Sequence, residues 1–370
     1  MEPVSHIDVS RAIVDHFGDR AMDPPLIPRN AHAIVLWIVD GLGWGVYQYA
    51  RAQGLIPWIA EHGPVDRPVE SVFPSTTAAG LPSLAFGEPP AVHGALGYSV
   101  FVPQLNRRAY LLSGDDEHGQ VIAPDILYPA IVPTIFERIA ARGHHSAVVS
   151  PDLFRGSGFS RWIHAGATYR GYDMDRPAQA IERVRECLAE GVSLVWLYWP
   201  YIDLAAHATG LSSAMTDSAI AMWDRAYHAA LQHWSGPTPT TVMVTADHGM
   251  ADLDPRRAIA HADPRMRPIW RSRWAGERRA LTTELPPAEV RRLVGPSVTV
   301  VGQSDAWHDG WYGGPASRPE WHDRVLQTLI LPPAGGQFEK DGIEDAAILL
   351  GGHGGNTEAE RTVPLLLQSW

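Results

Sequence analysis

The sequence predicts an α/β protein in which helices sandwich a doubly wound, mostly parallel sheet. Continuous runs of β-branched and aromatic residues, each followed by a turn or a polar residue, are typical of buried parallel strands. Stretches with apolar residues at helical spacing separate these runs, and this alternation indicates a doubly wound sheet. The five strand candidates are residues 33–39, 145–150, 193–199, 240–246 and 345–351.

Three amphipathic segments supply helices between the strands. Residues 134–143 place apolar side chains at helical spacing and end on Gly143, which suits a helix C-cap. Residues 178–191 repeat the pattern before the third strand, and residues 212–234 repeat it before the fourth. Because each segment lies between two strand candidates, we expect these helices to pack on the faces of the sheet.

One region interrupts the alternation. Residues 252–343 contain an arginine run, a short helix candidate, a strand candidate and a segment rich in glycine, proline and tryptophan. We therefore expect a catalytic core of residues 1–251 and 344–370, with an inserted smaller subdomain at 252–343. Between residues 256 and 279, eight arginines and two acidic residues give a local net charge of +6. This segment is either a solvated surface or a basic flap over an anionic substrate.

Composition and charge exclude several classes of protein. The 370 residues carry 30 lysines and arginines against 41 aspartates and glutamates, so the chain lacks the basic character expected of a partner of nucleic-acid polymers. The single cysteine, Cys187, excludes an internal disulfide framework and a cysteine-rich zinc module. The N-terminal segment has no apolar signal core, and every apolar run falls far short of the ~20 residues of a membrane span. We therefore expect a soluble cytoplasmic protein.

Residues suited to metal binding follow four of the five strand candidates. In open α/β sheets, ligands bind outside the carboxyl ends of the strands. A mixed set of carboxylates and imidazoles suits Zn²⁺ and, less well, Mn²⁺ or Fe. Six ligands exceed what one tetrahedral ion takes, so we expect two divalent ions, which can clamp the attacking and leaving oxygens of a phosphoryl displacement. The candidate ligands are Asp40, Asp203, His207, Asp247, His248 and His353.

Three neighbouring hydroxyl side chains are candidates for the nucleophile. Ser75, Thr76 and Thr77 lie at a predicted helix N-terminus, where backbone N–H groups and the helix dipole favour an alkoxide and phosphate oxygens. A threonine hydroxyl is a poor nucleophile at pH 7, and coordination to a dication would lower its pKa. The residue pattern by itself leaves the choice among the three open.

The ordered motifs resemble those of the alkaline phosphatase superfamily, and most closely its type I phosphodiesterase/nucleotide pyrophosphatase family. The resemblance covers about residues 33–251 and 345–368. It implies an alkaline phosphatase-like fold and hydrolysis of phosphodiester or pyrophosphate bonds in small nucleotide-like substrates. The motifs are DGLG at 40–43, PPAVHG at 89–94, DLAAH at 203–207, TADHG at 245–249 and GGHGG at 351–355.

The resemblance also implies which threonine attacks and how the ligands divide. In the family, the nucleophilic threonine lies ten residues before a glycine and sixteen before the histidine of an HG pair. Gly87 and His93 occupy those positions relative to Thr77, with Thr76 as the fallback, and the implied intermediate is a phosphothreonine. One metal would be held by Asp203, His207 and His353, and the other by Asp40, Asp247, His248 and the nucleophile.

One departure from the family pattern concerns the substrate. The related diesterases carry an asparagine twenty-one residues after the nucleophile, where it donates to a phosphoryl oxygen, whereas this sequence has Tyr98. A phenol also donates one hydrogen bond, so Tyr98 is a candidate phosphoryl contact. Trp44 is a candidate platform for an aromatic group, and Arg107 or Arg108 is a candidate phosphate contact.

Two alternatives to a diesterase stay open at the level of sequence. A phosphomonoesterase needs an extra cation for a dianionic phosphate, and the arginines just named, or those of the inserted segment, would supply it. A non-catalytic metal-binding scaffold would keep the ligands without turnover.

Overall fold

The computed structural model describes residues 5–18, 26–232, 239–260, 263–339 and 349–369. Within these ranges the strands, in chain order, are β1 (Ala33–Val39), β2 (Val65–Glu70), β3 (Ser99–Val102), β4 (Arg107–Tyr110), β5 (Ser146–Pro151), β6 (Thr168–Tyr172), β7 (Leu194–Trp199), β8 (Thr240–Thr245), β9 (Ala251–Asp252), β10 (Ala258–Ile259), β11 (Trp274–Glu277), β12 (Ala280–Thr283), β13 (Thr299–Gly302), β14 (Thr328–Leu331), β15 (Gln337–Phe338), β16 (Gly351–Gly352) and β17 (Thr362–Ser369).

The same ranges contain helices that flank the sheets. In chain order they are α1 (His6–His16), α2 (Trp44–Ala52), α3 (Pro57–His62), α4 (Thr77–Phe86), α5 (Pro90–His93), α6 (Pro124–Leu127), α7 (Ile135–Ala140), α8 (Gly158–Ile163), α9 (Ala178–Ala189), α10 (Tyr201–Thr209), α11 (Ala214–Gln232), α12 (Arg267–Arg271), α13 (Pro287–Val294), α14 (Gln303–His308), α15 (Glu320–Arg324) and α16 (Glu358–Arg361). None of these helices combines the length and the apolar character needed to cross a membrane.

The central sheet has seven strands in the order β2-β17-β8-β1-β7-β5-β6. Parallel pairing joins β1 to β7 and β8, and β5 to β6 and β7, whereas β17 runs antiparallel to β2 and β8. Every residue of β1, β7 and β8 is buried, because helices cover both faces of the sheet. The predicted fold class is confirmed.

The first four predicted strands form within about one residue of the expected bounds. The fifth, 345–351, falls largely outside the described residues, and Gly351–Gly352 pairs with β9 rather than with the central sheet. The helix predicted at 134–143 ends three residues early, at Ala140, and Gly143 adopts φ +83° in the turn that follows. The other two predicted helices form as α9 and α11, and Cys187 packs in the core.

A second, six-stranded sheet has the order β13-β14-β12-β11-β3-β4. Four of its strands belong to residues 252–343, while β3 and β4 come from the preceding part of the chain. One residue pair, Gly276 with Ser99, joins β11 to β3. The division into a core and an insert at residues 252–343 stays a prediction.

At least four of the eight arginines in the basic segment of residues 256–279 form ion pairs with carboxylates of the described residues. These pairs favour a surface and packing role over a basic flap. The four pairs are Arg256–Asp254, Arg265–Asp263, Arg273–Glu284 and Arg279–Glu360.

Candidate metal centre

The candidate ligands converge because they follow adjacent strands. Asp40 follows β1 directly, Asp247 and His248 lie just beyond β8, and α10, which carries Asp203, begins two residues after β7. Since β1 lies between β7 and β8 and runs parallel to both, the three carboxyl ends share one edge. The backbone N–H of Asp203 donates to the Asp40 carbonyl at 3.2 Å, which holds α10 against the end of β1.

Three buried carboxylates meet at this edge, and four of their oxygens lack a hydrogen-bond donor among the described residues. Asp40, Asp203 and Asp247 are 2%, 8% and 0% exposed. Asp40 Oδ1, Asp203 Oδ1 and both carboxylate oxygens of Asp247 accept no well-formed hydrogen bond from the described residues. Burial, together with the charge of Asp203, raises the pKa of Asp247 to about 7, and burial with both neighbouring carboxylates raises that of Asp40. Such buried charge requires a cation, so these residues fit divalent metal ions.

The three histidines present their Nε2 atoms to the same place. Each Nδ1 lies against a backbone carbonyl, which can only accept, so Nδ1 carries the proton and Nε2 has a free lone pair. The Nε2 atoms of His207 and His353 are 3.1 Å apart, although neither has a proton to donate to the other. A cation coordinated by both Nε2 atoms accounts for their close approach. The three bonds to carbonyls are His207–Gly351 at 2.9 Å, His248–Gly249 at 3.1 Å and His353–Ser75 at 3.2 Å.

Two groups of ligand atoms lie close enough to hold an ion each. Within each group, all atoms lie within 4.8 Å of one another, and His248 belongs to both groups. His207 Nε2 lies 3.3 Å from Asp203 Oδ1, beside the first group. The ligand division implied by the family places His248 with one ion only, and that division stays a prediction. The groups are Asp203, His248 and His353, and Asp40, Asp247 and His248.

Among the three candidate nucleophiles, Thr77 reaches the cluster. It is the first residue of α4, and its Oγ1 lies 3.0 Å from His248 Nε2. Thr76 is the N-cap and is buried, and the Ser75 hydroxyl donates to the Gly355 carbonyl at 2.7 Å. The helix can approach because position 80 is glycine: a Cβ there would lie 2.5 Å from the Asp247 carbonyl oxygen.

Of the expected substrate contacts, Tyr98 lines the same cavity as Thr77, and Trp44 does not. A cavity of about 720 Å³ is lined by Tyr98 together with Asp40, Thr77 and Asp203. Trp44 is absent from its lining, and its ring packs 5.5 Å from the ring of Tyr47.

The two candidate arginines are engaged elsewhere. Arg107 donates to Asp116 at 2.7 Å and to Gln120 at 2.8 Å. Arg108 lies 3.4 Å from the centre of the Trp274 ring and pairs with Glu117 at 3.2 Å. Neither lines the cavity, so a phosphate contact by either residue stays an untested prediction.

Two features of the site escaped sequence reasoning. The hydroxyl of Tyr198, on β7, donates to Asp40 Oδ2 and fixes that carboxylate. The far side of the cavity is built by residues 150–164, which leave the carboxyl end of β5. The rule that ligands bind at the carboxyl ends of strands applies to β5 as well and could have identified this segment.

A doubly wound sheet whose carboxyl edge carries a buried cluster of carboxylates and imidazoles defines the class of metal-dependent α/β hydrolases. The type I phosphodiesterase/nucleotide pyrophosphatase family matches residues 34–268, more than half of the chain. The chain belongs to this family and is therefore a hydrolytic enzyme, as the sequence predicts. No curated protein sequence matches significantly.

Several solved structures share the fold. Murine ectonucleotide pyrophosphatase/phosphodiesterase 5, inactive and in complex with AMP, is 18% identical with a TM-score of 0.68, over 90% of this chain and 87% of that chain. Its human counterpart is 18% identical with a TM-score of 0.67, over 91% and 87%. Phosphonoacetate hydrolase from Sinorhizobium meliloti 1021, in complex with phosphonoacetate, is 20% identical with a TM-score of 0.68, over 90% and 89%. Identities this low establish the fold alone.

Proposed function

We propose that this enzyme hydrolyses phosphodiester or pyrophosphate bonds of small nucleotide-like substrates through a phosphothreonine intermediate on Thr77. The observation that carries the proposal is the 3.0 Å contact between Thr77 Oγ1 and His248 Nε2. His248 is shared by both groups of candidate ligands, so the hydroxyl lies where two ions would lie. AMP, the ligand in the related murine structure, is a nucleotide and supports this class of substrate.

The residues that would hold two divalent ions, with Zn²⁺ expected before Mn²⁺ or Fe, are Asp40, Asp203, His207, Asp247, His248 and His353. When bound, such ions lower the pKa of a coordinated hydroxyl and neutralise charge on phosphoryl oxygens.

The protein's own groups orient the reaction. The Thr77 hydroxyl loses its proton to solvent as Oγ1 forms a bond to phosphorus; the bond to the leaving group breaks, and the leaving oxygen takes the electron pair and a proton from solvent. Water then attacks the same phosphorus and loses a proton, and Thr77 Oγ1 leaves with the electron pair and is protonated again, so the configuration at phosphorus is retained after two displacements. The N-terminus of α4 contributes its dipole to the phosphoryl oxygens, and the Tyr98 hydroxyl is the proposed donor to one of them.

A phosphomonoesterase is the alternative that this geometry supports less. Such an enzyme needs an additional cation for the dianionic phosphate, and Arg107 and Arg108 are bound to carboxylates away from the cavity. Hydrolysis of bis-(p-nitrophenyl) phosphate and p-nitrophenyl phosphate, each with added Zn²⁺ or Mn²⁺, separates the two activities. We expect the diester to be preferred, and a monoester preference above about tenfold would overturn the diesterase assignment.

The nucleophile is tested by replacing each of the two adjacent threonines. We expect Thr77→Ala to lower kcat at least about a thousandfold. Thr76→Ala is the matched control, because its side chain forms no capping hydrogen bond, and it should keep most activity. Acid quenching followed by mass spectrometry should locate a phosphate on Thr77. Unchanged turnover in Thr77→Ala would show that another group attacks.

A further inference from the structure

The cavity beside the metal centre has an unusual charge pattern for an enzyme that binds phosphate esters. Twenty described residues line it, and none of the twenty is lysine or arginine. Its two carboxylates, Asp40 and Asp203, are candidate metal ligands and would be neutralised by the ions. The other described residues of the lining therefore provide no positive charge that could pair with an anionic group of a substrate.

Most of this wall is apolar and well packed. Phe159, Ile163 and Trp196 line the cavity and are 5%, 1% and 0% exposed, so their positions are fixed by the surrounding core. Leu81 and Leu112 also line the cavity and extend its apolar surface. A pocket of this size and composition is typical of sites that enclose a small organic group.

The polar groups of the wall are neutral. Four serines contribute hydroxyl groups, which can each donate or accept one hydrogen bond. The one imidazole among the twenty lining residues belongs to His164, and burial lowers its pKa to about 3, so it carries no charge at physiological pH. The four serines are Ser113, Ser150, Ser157 and Ser160.

Two arginines belong to residues 150–164, the segment that builds one side of the cavity, and neither of them lines it. Arg155 follows Phe154, but it pairs with Asp152 at 2.9 Å and lies over the Tyr169 ring, 4.8 Å from its centre. Arg161 donates to the Gly156 carbonyl at 2.6 Å. Both guanidinium groups are therefore engaged by their own loop.

The rim of the cavity is apolar as well. Leu153 is 77% exposed and Leu204 is 49% exposed, and both line the cavity. Because Leu153 is so exposed, its side chain can be replaced without disturbing the core.

We propose that this cavity binds an uncharged and largely apolar group attached to the phosphoryl centre and excludes an anionic group, so that a phosphate or pyrophosphate leaving group lies outside it. Leu153 is a specificity-determining residue at its rim. The proposal rests on the proposed function only for the place of the phosphoryl group at the metal centre. Burying a ring against the apolar wall stabilises the complex, whereas burying an unpaired carboxylate or phosphate there is costly.

The test measures binding, so that it does not depend on turnover. Isothermal titration calorimetry on the 370-residue chain loaded with Zn²⁺ compares methylphosphonate, phenylphosphonate and 4-carboxyphenylphosphonate. None of the three carries an ester bond to be hydrolysed. We expect phenylphosphonate to bind at least tenfold more tightly than methylphosphonate and at least tenfold more tightly than the carboxyphenyl compound. Equal affinities, or no binding by any of the three, would overturn the proposal.

A pair of variants assigns the effect to the rim. Leu153→Arg places a cation beside the carboxylate of 4-carboxyphenylphosphonate. We therefore expect the ratio of the affinity for phenylphosphonate to that for 4-carboxyphenylphosphonate to fall at least threefold. Val121→Arg adds the same charge at a residue that is 85% exposed and outside the cavity lining, and it should leave the ratio unchanged. An equal effect of both substitutions would assign the change to net charge and contradict a role for Leu153. Hydrolysis of bis-(p-nitrophenyl) phosphate by the same preparation tests the proposed function separately.

Discussion

Arg279 and Glu360 form a buried, bidentate ion pair that joins the second sheet to the loop carrying His353. Both contacts, Nε to Oε1 and Nη2 to Oε2, measure 2.9 Å, and the two side chains are 2% and 0% exposed. Glu360 Oε1 also accepts the backbone N–H of Gly355 at 2.9 Å. Arg279, one of the arginines of residues 256–279, therefore helps to hold the loop that carries the candidate ligand His353.

Glu360→Gln should destabilise the protein by about 3–5 kcal/mol, because it leaves the Arg279 guanidinium buried without its counter-charge. The free energy of unfolding from urea titration measures this loss. We also expect weaker binding of one of two metal ions, since the loop of His353 loses an anchor. Glu358→Gln is the matched control: it makes the same change at an exposed position of α16 and should alter stability little. Equal losses in both variants would contradict the role of the pair.

The strands and ligands could be predicted from the sequence because each depends on local pattern. Strands β1, β7 and β8 are buried on both faces, which demands continuous apolar runs, and the ligands lie just beyond them. Thr77 was separated from its neighbours only by resemblance, since all three hydroxyls share the same helix start. In the structure these hydroxyl groups have different partners: Thr77 Oγ1 contacts His248 Nε2, whereas the Ser75 hydroxyl donates to the Gly355 carbonyl.

The second sheet and the cavity could not be predicted, because both depend on contacts between distant segments. Strands β3, β11 and β14 are four residues long, too short for a periodic signal, and the paired residues Ser99 and Gly276 are 177 positions apart. Arg279 is 81 residues from Glu360, so a local charge count placed it in a basic patch rather than in a buried pair. The cavity wall likewise combines side chains from several elements.

The stability of the metal-free protein should fall as the pH rises from about 4 to about 7. Burial, with the charge of Asp203, raises the pKa of Asp247 from its usual value to about 7. The folded state therefore holds a proton that the unfolded state has lost in this window, and each step up in pH favours unfolding. Zn²⁺ should remove this dependence, adding about 2.7 kcal/mol at a concentration one hundred times the Kd. Tm measured with EDTA and with Zn²⁺ at pH 5.5 and 8 tests this, and a larger metal effect at pH 5.5 would contradict it.

Tyr198→Phe should weaken metal binding about 10–100-fold, the usual effect of losing a group that orients a ligand. The phenol donates to Asp40 Oδ2, and removing it leaves that carboxylate free to turn. Competition with a chelating dye measures the metal affinity directly. Tyr169→Phe provides the control, because it removes a hydroxyl that donates to the Pro151 carbonyl instead of a candidate ligand. Loss of affinity in both variants would indicate a general effect on the fold.

Gly80→Ala tests whether the close approach of α4 to β8 places the nucleophile. A Cβ at position 80 would lie 2.5 Å from the Asp247 carbonyl oxygen, so α4 must move away from the end of β8. We expect a loss of about 1–3 kcal/mol in unfolding free energy, as for an overpacked core. The hydrolysis rate should fall further than this loss explains, because Thr77 moves with the helix away from His248. Gly45→Ala is the control: position 45 lies in α2 with no atom within 4 Å of the new Cβ, and the substitution should leave activity unchanged. Full activity in Gly80→Ala would show that Thr77 does not depend on this contact.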